Sequence, residues 1–181
     1  GVQRVVIAHH ADDQVETFLF RLMRGSGVGG LGGMQERMMR QTSEGNIEVL
    51  RPLLDVWRSE IDSWVEGRGL EFCEDASNAD LRWARNRIRH VLLPTMEEVM
   101  GRPVREVLWR TAELLREENA FVEQCLEGIE HENDDSKLSV KSLLKMPLAL
   151  SRRKVFGWLQ EQLGFGVGFA EVELVVRLAR E

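Results

Sequence analysis

The amino-acid sequence predicts an α/β fold with a partial parallel sheet, followed by a small all-α domain. Two observations predict it. Over residues 2–75 short apolar runs alternate with amphipathic helical segments, and beyond residue 80 every periodic segment has helical spacing. Alternation of strands and helices is typical of a parallel sheet, because a helical crossover joins two parallel strands. The change in pattern near residues 95–103 predicts a domain boundary, with one domain at 1–98 and a second at 99–181.

The first predicted strand is the apolar run 2–8, which should be covered on both faces. A helix then follows from Asp12, and Gly25 stands where a helix C-cap glycine is expected. Its apolar stripe is Val15, Phe18, Leu19, Leu22 and Met23. The six glycines of residues 25–33 predict a flexible loop that closes over a substrate.

Two more strands and a helix complete the predicted α/β part. Residues 47–50 form the second strand, and residues 69–75 the third. Between them Asp55 is predicted to cap a helix. The inner face of that helix is Trp57, Ile61, Trp64 and Val65.

The remaining segments are predicted to be helical. A helix at 81–92 should stop before Pro94, and a long amphipathic helix should cover 104–129. The polar stretch 131–136 breaks the pattern, and helices at 148–163 and 169–180 follow, separated by the glycine-rich GFGVG.

Composition narrows the function classes. The net charge of −6 argues against non-specific nucleic-acid binding, although eight arginines against four glutamates between residues 81 and 116 make one basic region. Cys73 and Cys125 lie far apart with no CxxC pair, which predicts a reducing, cytoplasmic location and no zinc or iron–sulfur framework. No apolar run approaches the roughly 20 residues of a membrane span, so no membrane partner is expected.

Titratable residues concentrate where the first helix begins. Asp13 and Glu16 have the spacing of a capping box, which alone would explain both carboxylates. Capping does not require His9, His10 or Gln14, and the carboxyl end of a strand is where open α/β sheets bind ligands. With only two further histidines in the chain, a zinc site is hard to complete. Carboxylates holding Mg²⁺ together with a phosphate fit better.

Two further motifs allow two interpretations each. GSGVGG at 25–30 satisfies GxGxxG but follows a helix, so the dinucleotide fingerprint is rejected. Arg82, Arg85 and Arg89 share one helical face, as either a solvated stripe or a functional group of cations.

Taken together, HHADDQVETFLFRLMRGSGVGGLGGM, RPLLDVWRSEI and CEDASNADLRWARNRIRHVLLP resemble the bacterial tRNA(Ile)-lysidine synthetases, a family of PP-loop ATP pyrophosphatases. The resemblance is strong over residues 2–94 and weaker in the helical part. It implies a Rossmann-like PP-loop fold and an ATP-dependent ligase, with Mg²⁺ accompanying ATP. Its partners would be L-lysine and tRNA(Ile) with a CAU anticodon, and a homodimer is left open.

The resemblance also implies roles for residues. Asp13 and Glu16 would hold the ammonium groups of lysine and help deprotonate the attacking amine. Arg85 would pair with the lysine carboxylate or the developing phosphate charge, with Arg89 as second choice. The substrate-binding residues would be His9 and His10 along the nucleotide cleft, Arg24, Gly25, Ser26 and Gly27 beside the anticodon loop, and Asp12, Gln14 and Asn86 within the same motifs.

One departure from the family pattern limits this expectation. The SGGxDS loop on which PP-loop enzymes bind pyrophosphate does not occur in these 181 residues. The chain is therefore expected to be an N-terminally truncated fragment, inactive alone. A non-catalytic tRNA-binding module and another PP-loop tRNA-modifying enzyme, such as a thiolase, remain alternatives.

Overall fold

The computed structural model describes residues 3–43, 45–73, 75–127, 137–164 and 166–181. The chain forms two compact units, residues 1–119 and residues 120–181. The α/β fold is confirmed. The predicted boundary near residues 95–103 stays a prediction, and the division between the two units falls later, within a helix. The predicted polar break at 131–136, with His131, lies outside the described residues, as does Phe165 of GFGVG.

The first unit contains one small sheet and most of the helices. Its elements are β1 Gln3–Val6, α1 Ala11–Met23, α2 Val28–Leu31, β2 Arg37–Thr42, β3 Gly45–Leu50, α3 Arg58–Glu66, a 3₁₀ turn Ala76–Ala79, α4 Ala84–Arg87, a π-helical turn Ile88–Leu92, α5 Leu93–Met100 and the start of α6 Arg105–Glu127. The end of α6 belongs to the second unit, with α7 Val140–Lys145, α8 Leu148–Leu163 and α9 Phe169–Leu178. No helix of the described part is both long and apolar enough to cross a bilayer.

The sheet has the strand order β1-β3-β2. β1 pairs with β3 in parallel, with Gln3 opposite Ile47, and β2 pairs with β3 antiparallel. The predicted parallel pair is confirmed, whereas β2 was not predicted. Its residues RMMRQT alternate too weakly to indicate a strand, and the pairing with β3 is what orders them. Glu48, buried in β3, forms salt bridges with Arg4 of β1 and Arg37 of β2 and so ties the three strands together.

Two predictions about strands are wrong. The first strand is not covered on both faces, because Val5 is 43% and Val6 66% exposed at the edge of the sheet. Residues 70–73 and 75 form no strand, since no neighbouring strand pairs with them.

Predictions of helix ends also need correction. Asp55 does not cap α3; the N-cap is Trp57, whose backbone N–H donates to Glu60 Oε2 at 2.7 Å, and Trp64 is exposed. The helix from residue 84 does not stop before Pro94. Proline has no N–H to donate and fits the first turn of α5, and the π-helical turn before it widens the hydrogen-bond ladder there.

Each unit has its own hydrophobic core. In the first, the inner face of α1 packs against the π-helical turn, α5 and the start of α6; the buried residues are Val15, Phe18, Leu19, Ile88, Leu93, Val104 and Ala112. In the second, α7, α8 and α9 bury Leu143, Val155, Leu159, Val172 and Val176. The predicted apolar stripe of the first helix is therefore largely confirmed, although Leu22 and Met23 are exposed.

Candidate functional site

The N-terminus of α1 is capped by an aspartate from inside the helix. His10 is the extended N-cap residue, and Asp13 Oδ2 accepts a hydrogen bond from its backbone N–H at 3.0 Å. The predicted capping pair of Asp13 with Glu16 is therefore wrong, because Asp13 occupies the third helical position, not the cap. Capping uses one oxygen of Asp13 and leaves Glu16 without a capping role.

Arg89 bridges the two predicted catalytic carboxylates. Its Nε donates to Glu16 Oε1 at 2.5 Å, and its Nη2 donates to Asp13 Oδ1 at 3.2 Å. Glu16 is 0% exposed, and its Oε2 has no hydrogen-bond partner within the described part. Burial raises the pKa of Glu16 because it disfavours the ionised form, and the hydrogen bond and positive charge of Arg89 act against that rise.

Arg85 lies against the same helix. Its Nη2 donates to Thr17 Oγ1 at 3.1 Å, and Thr17 directly follows Glu16 in α1. The structure therefore brings Asp13, Glu16, Arg85 and Arg89 together along one side of α1. Arg89, and not Arg85, contacts the two carboxylates, whereas the ranking of the two arginines as partners of the anionic substrate group stays a prediction.

The residues between these arginines hold a loop. Asn86 Nδ2 donates to the carbonyl oxygens of Ser77 and Asp80, both at 2.9 Å, and Arg87 donates to the carbonyls of Leu81 and Arg82. The segment RNRIR, residues 85–89, therefore has two sets of contacts. Arg85 and Arg89 contact side chains of α1, whereas Asn86 and Arg87 hold residues 77–82 through backbone carbonyls. Asn86, predicted to bind substrate, has structural contacts in this structure.

The glycine-rich segment is anchored to α1. The buried side-chain amide of Gln14 accepts from Met34 N at 2.7 Å and donates to Met34 O at 2.8 Å. Gly33 has φ +76°, and a Cβ there would lie 2.5 Å from Gln14 Oε1. The predicted flexible loop thus contains the short helix α2 and ends in a tightly held segment.

Arg21, which the sequence analysis missed, adds to this anchoring. Its Nη1 donates to Gly30 O at 2.6 Å and to Gly33 O at 2.8 Å. Arg116 donates to Met34 O at 3.3 Å. The one signal in the sequence was the position of Arg21 on α1, one turn beyond Thr17 and therefore on the face that carries the site.

His9 and Asp12 lie on either side of the helix start. His9 Nδ1 accepts from Arg51 Nε at 3.2 Å; burial lowers its pKa, Asp13 opposes this, and Arg51 and Arg85 lower the pKa further. Asp12 accepts from the backbone N–H of Arg58 at 3.0 Å and from Arg105 Nη1 at 3.1 Å. Asp12 therefore joins α1 to α3 and α6, which is a structural role.

The remaining predicted residues lie at the far end of α1. Arg24 is exposed and stacks over the Phe20 ring at 5.1 Å. Gly25 has φ +77° directly after the C-cap, as predicted. Ser26 N donates to Arg21 O at 3.0 Å, and Gly27 is the N-cap of α2. These four residues lie more than two helical turns from Asp13 along α1, so the structure does not bring them to the acidic group.

The ring of His10 lies beside two carboxylates without a close contact to either. Its Nε2 lies 3.5 Å from Asp13 Oδ2 and its Nδ1 3.7 Å from Asp12 Oδ2, both longer than a good hydrogen bond. In the part of the chain that the structure describes, no three His, Cys, Asp or Glu side chains converge as a metal site would require.

Comparisons with known proteins agree with this architecture. A family model for the PP-loop domain matches residues 1–96. The chain is 37% identical over 178 residues to the tRNA(Ile)-lysidine synthase of Gloeobacter violaceus, covering 97% of this chain and 54% of that protein. It is 38% identical over 183 residues to the protein of that name from Solibacter usitatus, covering 97% and 40%. With the enzyme of that name from Azoarcus sp. it shares 48% identity over 113 residues, 62% of this chain and 25% of that protein. The chain spans about half or less of the length of these relatives.

Proposed function

This chain belongs to the PP-loop domain family, and from that premise we propose that it serves in an ATP-dependent ligase that attaches lysine to tRNA(Ile). The relatives named tRNA(Ile)-lysidine synthase, at 33–48% identity, support this assignment. The proposed nucleoside is the wobble cytidine of the CAU anticodon. Mg²⁺ is proposed to arrive with ATP on its phosphate oxygens, and no step is assigned to it.

The proposed reaction has two steps. The C2 oxygen of the cytidine attacks the α-phosphorus of ATP and releases pyrophosphate, which leaves an adenylated tRNA. The ε-amine of lysine then attacks C2, and the C2–O bond breaks with AMP as leaving group. The amine must lose protons during this attack, so the second step needs a base beside a bound ammonium group.

The acidic group around Arg89 carries this proposal. Asp13 and Glu16 bring two negative charges and Arg89 one positive charge, so the group has one negative charge left to bind a cation. The side chain of Asp13 is 12% exposed and that of Glu16 only 1%. Asp13 is therefore proposed to contact the ammonium of lysine and to accept its proton. Glu16 is proposed to act indirectly by holding Arg89, which is narrower than its role implied by the family resemblance.

Arg85 is proposed to bind the anionic part of the substrate. Its guanidinium forms one hydrogen bond, to Thr17, and keeps the remaining N–H donors for a carboxylate or phosphate. It lies on the same side of α1 as Asp13 and Glu16. An amino acid with an ammonium at Asp13 and a carboxylate at Arg85 would thus be held at two points.

The test is lysine-dependent release of AMP by the protein expressed from its complete reading frame, with ATP and the CAU tRNA(Ile) as substrates. Incorporation of labelled lysine into that tRNA, and not into a tRNA with a different anticodon, is the expected result. Salt-dependent binding of the tRNA in gel shifts without any lysine transfer would instead support the non-catalytic binding module. Transfer of sulfur in place of lysine would support a thiolase.

A further inference from the structure

Arg21, Arg51 and Arg85 hydrogen-bond only to neutral groups in the part of the first unit that the structure describes. Arg21 donates to the carbonyls of Gly30 and Gly33, Arg51 to the carbonyl of Gln35 and to His9 Nδ1, and Arg85 to the hydroxyl of Thr17. Within the described ranges none of the three forms a salt bridge. Other arginines of the same unit do: Arg4, Arg37, Arg58, Arg82, Arg89, Arg105 and Arg116.

Their hydrogen bonds place the three guanidinium groups close together. Thr17 and Arg21 are four residues apart in α1 and share one face of it, so Arg85, held by Thr17, lies beside Arg21. Gly33 and Gln35 are separated by one residue, so Arg21 and Arg51 hold almost adjacent carbonyls. Burial lowers the pKa of Arg21, and the positive charges of Arg85 and Arg51 lower it further.

This concentration of charge is unfavourable without a counter-ion. Arg21 and Arg51 are half-buried, whereas Arg85 is exposed. A half-buried arginine is normally paired, because an isolated charge away from water costs free energy. Each guanidinium has five N–H donors, and the described contacts use at most two hydrogen bonds of each. The unused donors and the charge are the features that bind tetrahedral oxyanions, for which a guanidinium fork is well shaped.

His9 adds a donor to the same group. Its Nδ1 accepts from Arg51, so in the neutral ring the proton is on Nε2, which is then a hydrogen-bond donor. The hydrogen bond of 3.2 Å from Arg51 Nε places the ring beside that guanidinium, and the positive charges of Arg51 and Arg85 both lower the pKa of His9. The ring therefore contributes a further N–H beside the three cations.

We propose that Arg21, Arg51 and Arg85, with His9 at the edge, form a binding site for a phosphate group. The phosphate can come from a nucleotide or from the RNA backbone. The charge and contacts of these residues support the site by themselves, and only RNA as a source of the phosphate rests on the proposed function. Arg21 and Arg51 have no part in the lysine site proposed above, so variants of these two residues test the phosphate site separately.

The alternative is that Arg21 and Arg51 serve only to hold residues 30–35. Lysine and glutamine variants separate the two. Arg21→Lys and Arg51→Lys keep the charge but not the fork that spans two acceptors, whereas Arg21→Gln and Arg51→Gln lose the charge as well. If the arginines only hold the loop, the lysine and glutamine variants should behave alike. If they bind phosphate, glutamine should be clearly worse.

The experiment measures binding of inorganic pyrophosphate and of an anticodon stem-loop RNA by the protein from its complete reading frame, at several salt concentrations. Each glutamine variant is expected to weaken binding of one ligand by about tenfold or more, and each lysine variant by less. Arg40→Gln, an exposed arginine of β2, is the control for total charge. Circular dichroism and the urea midpoint check that each variant is folded.

The affected ligand identifies the source of the phosphate. Loss of pyrophosphate binding indicates a nucleotide. Loss of RNA binding, with the slope of log K against log salt reduced by about 0.7 to 0.9, indicates one RNA phosphate contact. The proposal is overturned if both glutamine variants bind both ligands as Arg40→Gln does, or if folded glutamine and lysine variants lose binding equally. Lysine transfer is assayed separately, so its failure would not count against the phosphate site.

Discussion

Arg89 Nε lies 2.5 Å from Oε1 of Glu16, a residue with no solvent exposure. The contact joins the π-helical turn to the middle of α1, 73 residues away in sequence. A fully buried carboxylate is stable only when it is paired or neutral, so this contact lets Glu16 stay in the core as an anion. The same guanidinium reaches Asp13, so Arg89 sets the charge of the candidate site.

Arg89→Met should destabilise the protein strongly. Removing one partner of a buried ion pair leaves an uncompensated charge, which costs on the order of 3 kcal/mol of unfolding free energy. Arg82→Met is the matched control, because Arg82 pairs with Asp80 but is 89% exposed, and its loss should be far smaller. Urea denaturation of the two variants measures the difference. Equal losses would show that Glu16 does not depend on Arg89.

Asp13→Asn should abolish most lysine transfer while the fold is kept. The amide oxygen of asparagine still accepts from His10 N, but its NH2 group cannot accept from Arg89 Nη2, so the loss of unfolding free energy should be about 1 to 3 kcal/mol. Loss of the negative charge and of the proton acceptor should lower the rate of lysine transfer by about 100-fold or more. Asp62→Asn, in an exposed ion pair on α3, is the control. If the activity of Asp13→Asn decreases only in proportion to the decrease in folded protein, Asp13 has a capping role and no catalytic one.

Gly33→Ala should be more harmful than Gly69→Ala. Both glycines have positive φ, +76° and +61°, so alanine costs about 1 to 2 kcal/mol at either position. At Gly69 nothing lies within 4 Å of the added Cβ, whereas at Gly33 it would meet Gln14 Oε1 at 2.5 Å. Displacing Gln14 also breaks its two hydrogen bonds to Met34, each contributing about 1 kcal/mol. Equal urea midpoints for the two variants would contradict the anchoring described for Met34.

His9→Gln should change how stability depends on pH. The pKa of His9 is lowered in the folded protein from 6.5, chiefly by burial. On acidification the unfolded state therefore takes up the proton first, and stability falls as pH drops below that value. Between about pH 7 and about pH 5.5 the wild type should lose more unfolding free energy than His9→Gln.

Glu16 titrates with the opposite sign, because its pKa is raised: its contribution is present at low pH and is lost as pH rises through that raised pKa. The contribution of Glu16 to the pH dependence is the same in the wild type and in His9→Gln, so it cancels when the two are compared. Parallel pH profiles from urea unfolding would show that His9 is not perturbed.

The features predictable from the sequence are those with a local cause. The period of Val15, Phe18 and Leu19 predicted α1, and Gly25 predicted its end, because both depend on residues a few positions apart. The false strand at 69–75 and the missed β2 share another cause. A strand is stabilised by its pairing partner, and β2 owes its order to β3.

The candidate site shows the same limit. The acidic residues at the start of α1 were found from the sequence, since composition and position mark them. The arginine that pairs with them could not be identified from the sequence, because Arg85 and Arg89 are equivalent in a helical pattern. Only the packing of the π-helical turn against α1 shows that Arg89 is the counter-ion. Arg21 was missed since its only signal is its position one turn beyond Thr17, and a single arginine near the end of a helix is more often solvated.

Gly33, Met34 and Gln35 present three successive carbonyls to different donor side chains: Arg21, then Gln14 with Arg116, then Arg51. Such an arrangement fixes the length of the segment, since inserting or deleting even one residue would shift every carbonyl onto the wrong donor. Length variation in this region should accordingly be tolerated at the β2–β3 turn around Ser43, and not among residues 30–35. A library of single-residue insertions, sorted for folded protein, would measure that tolerance position by position.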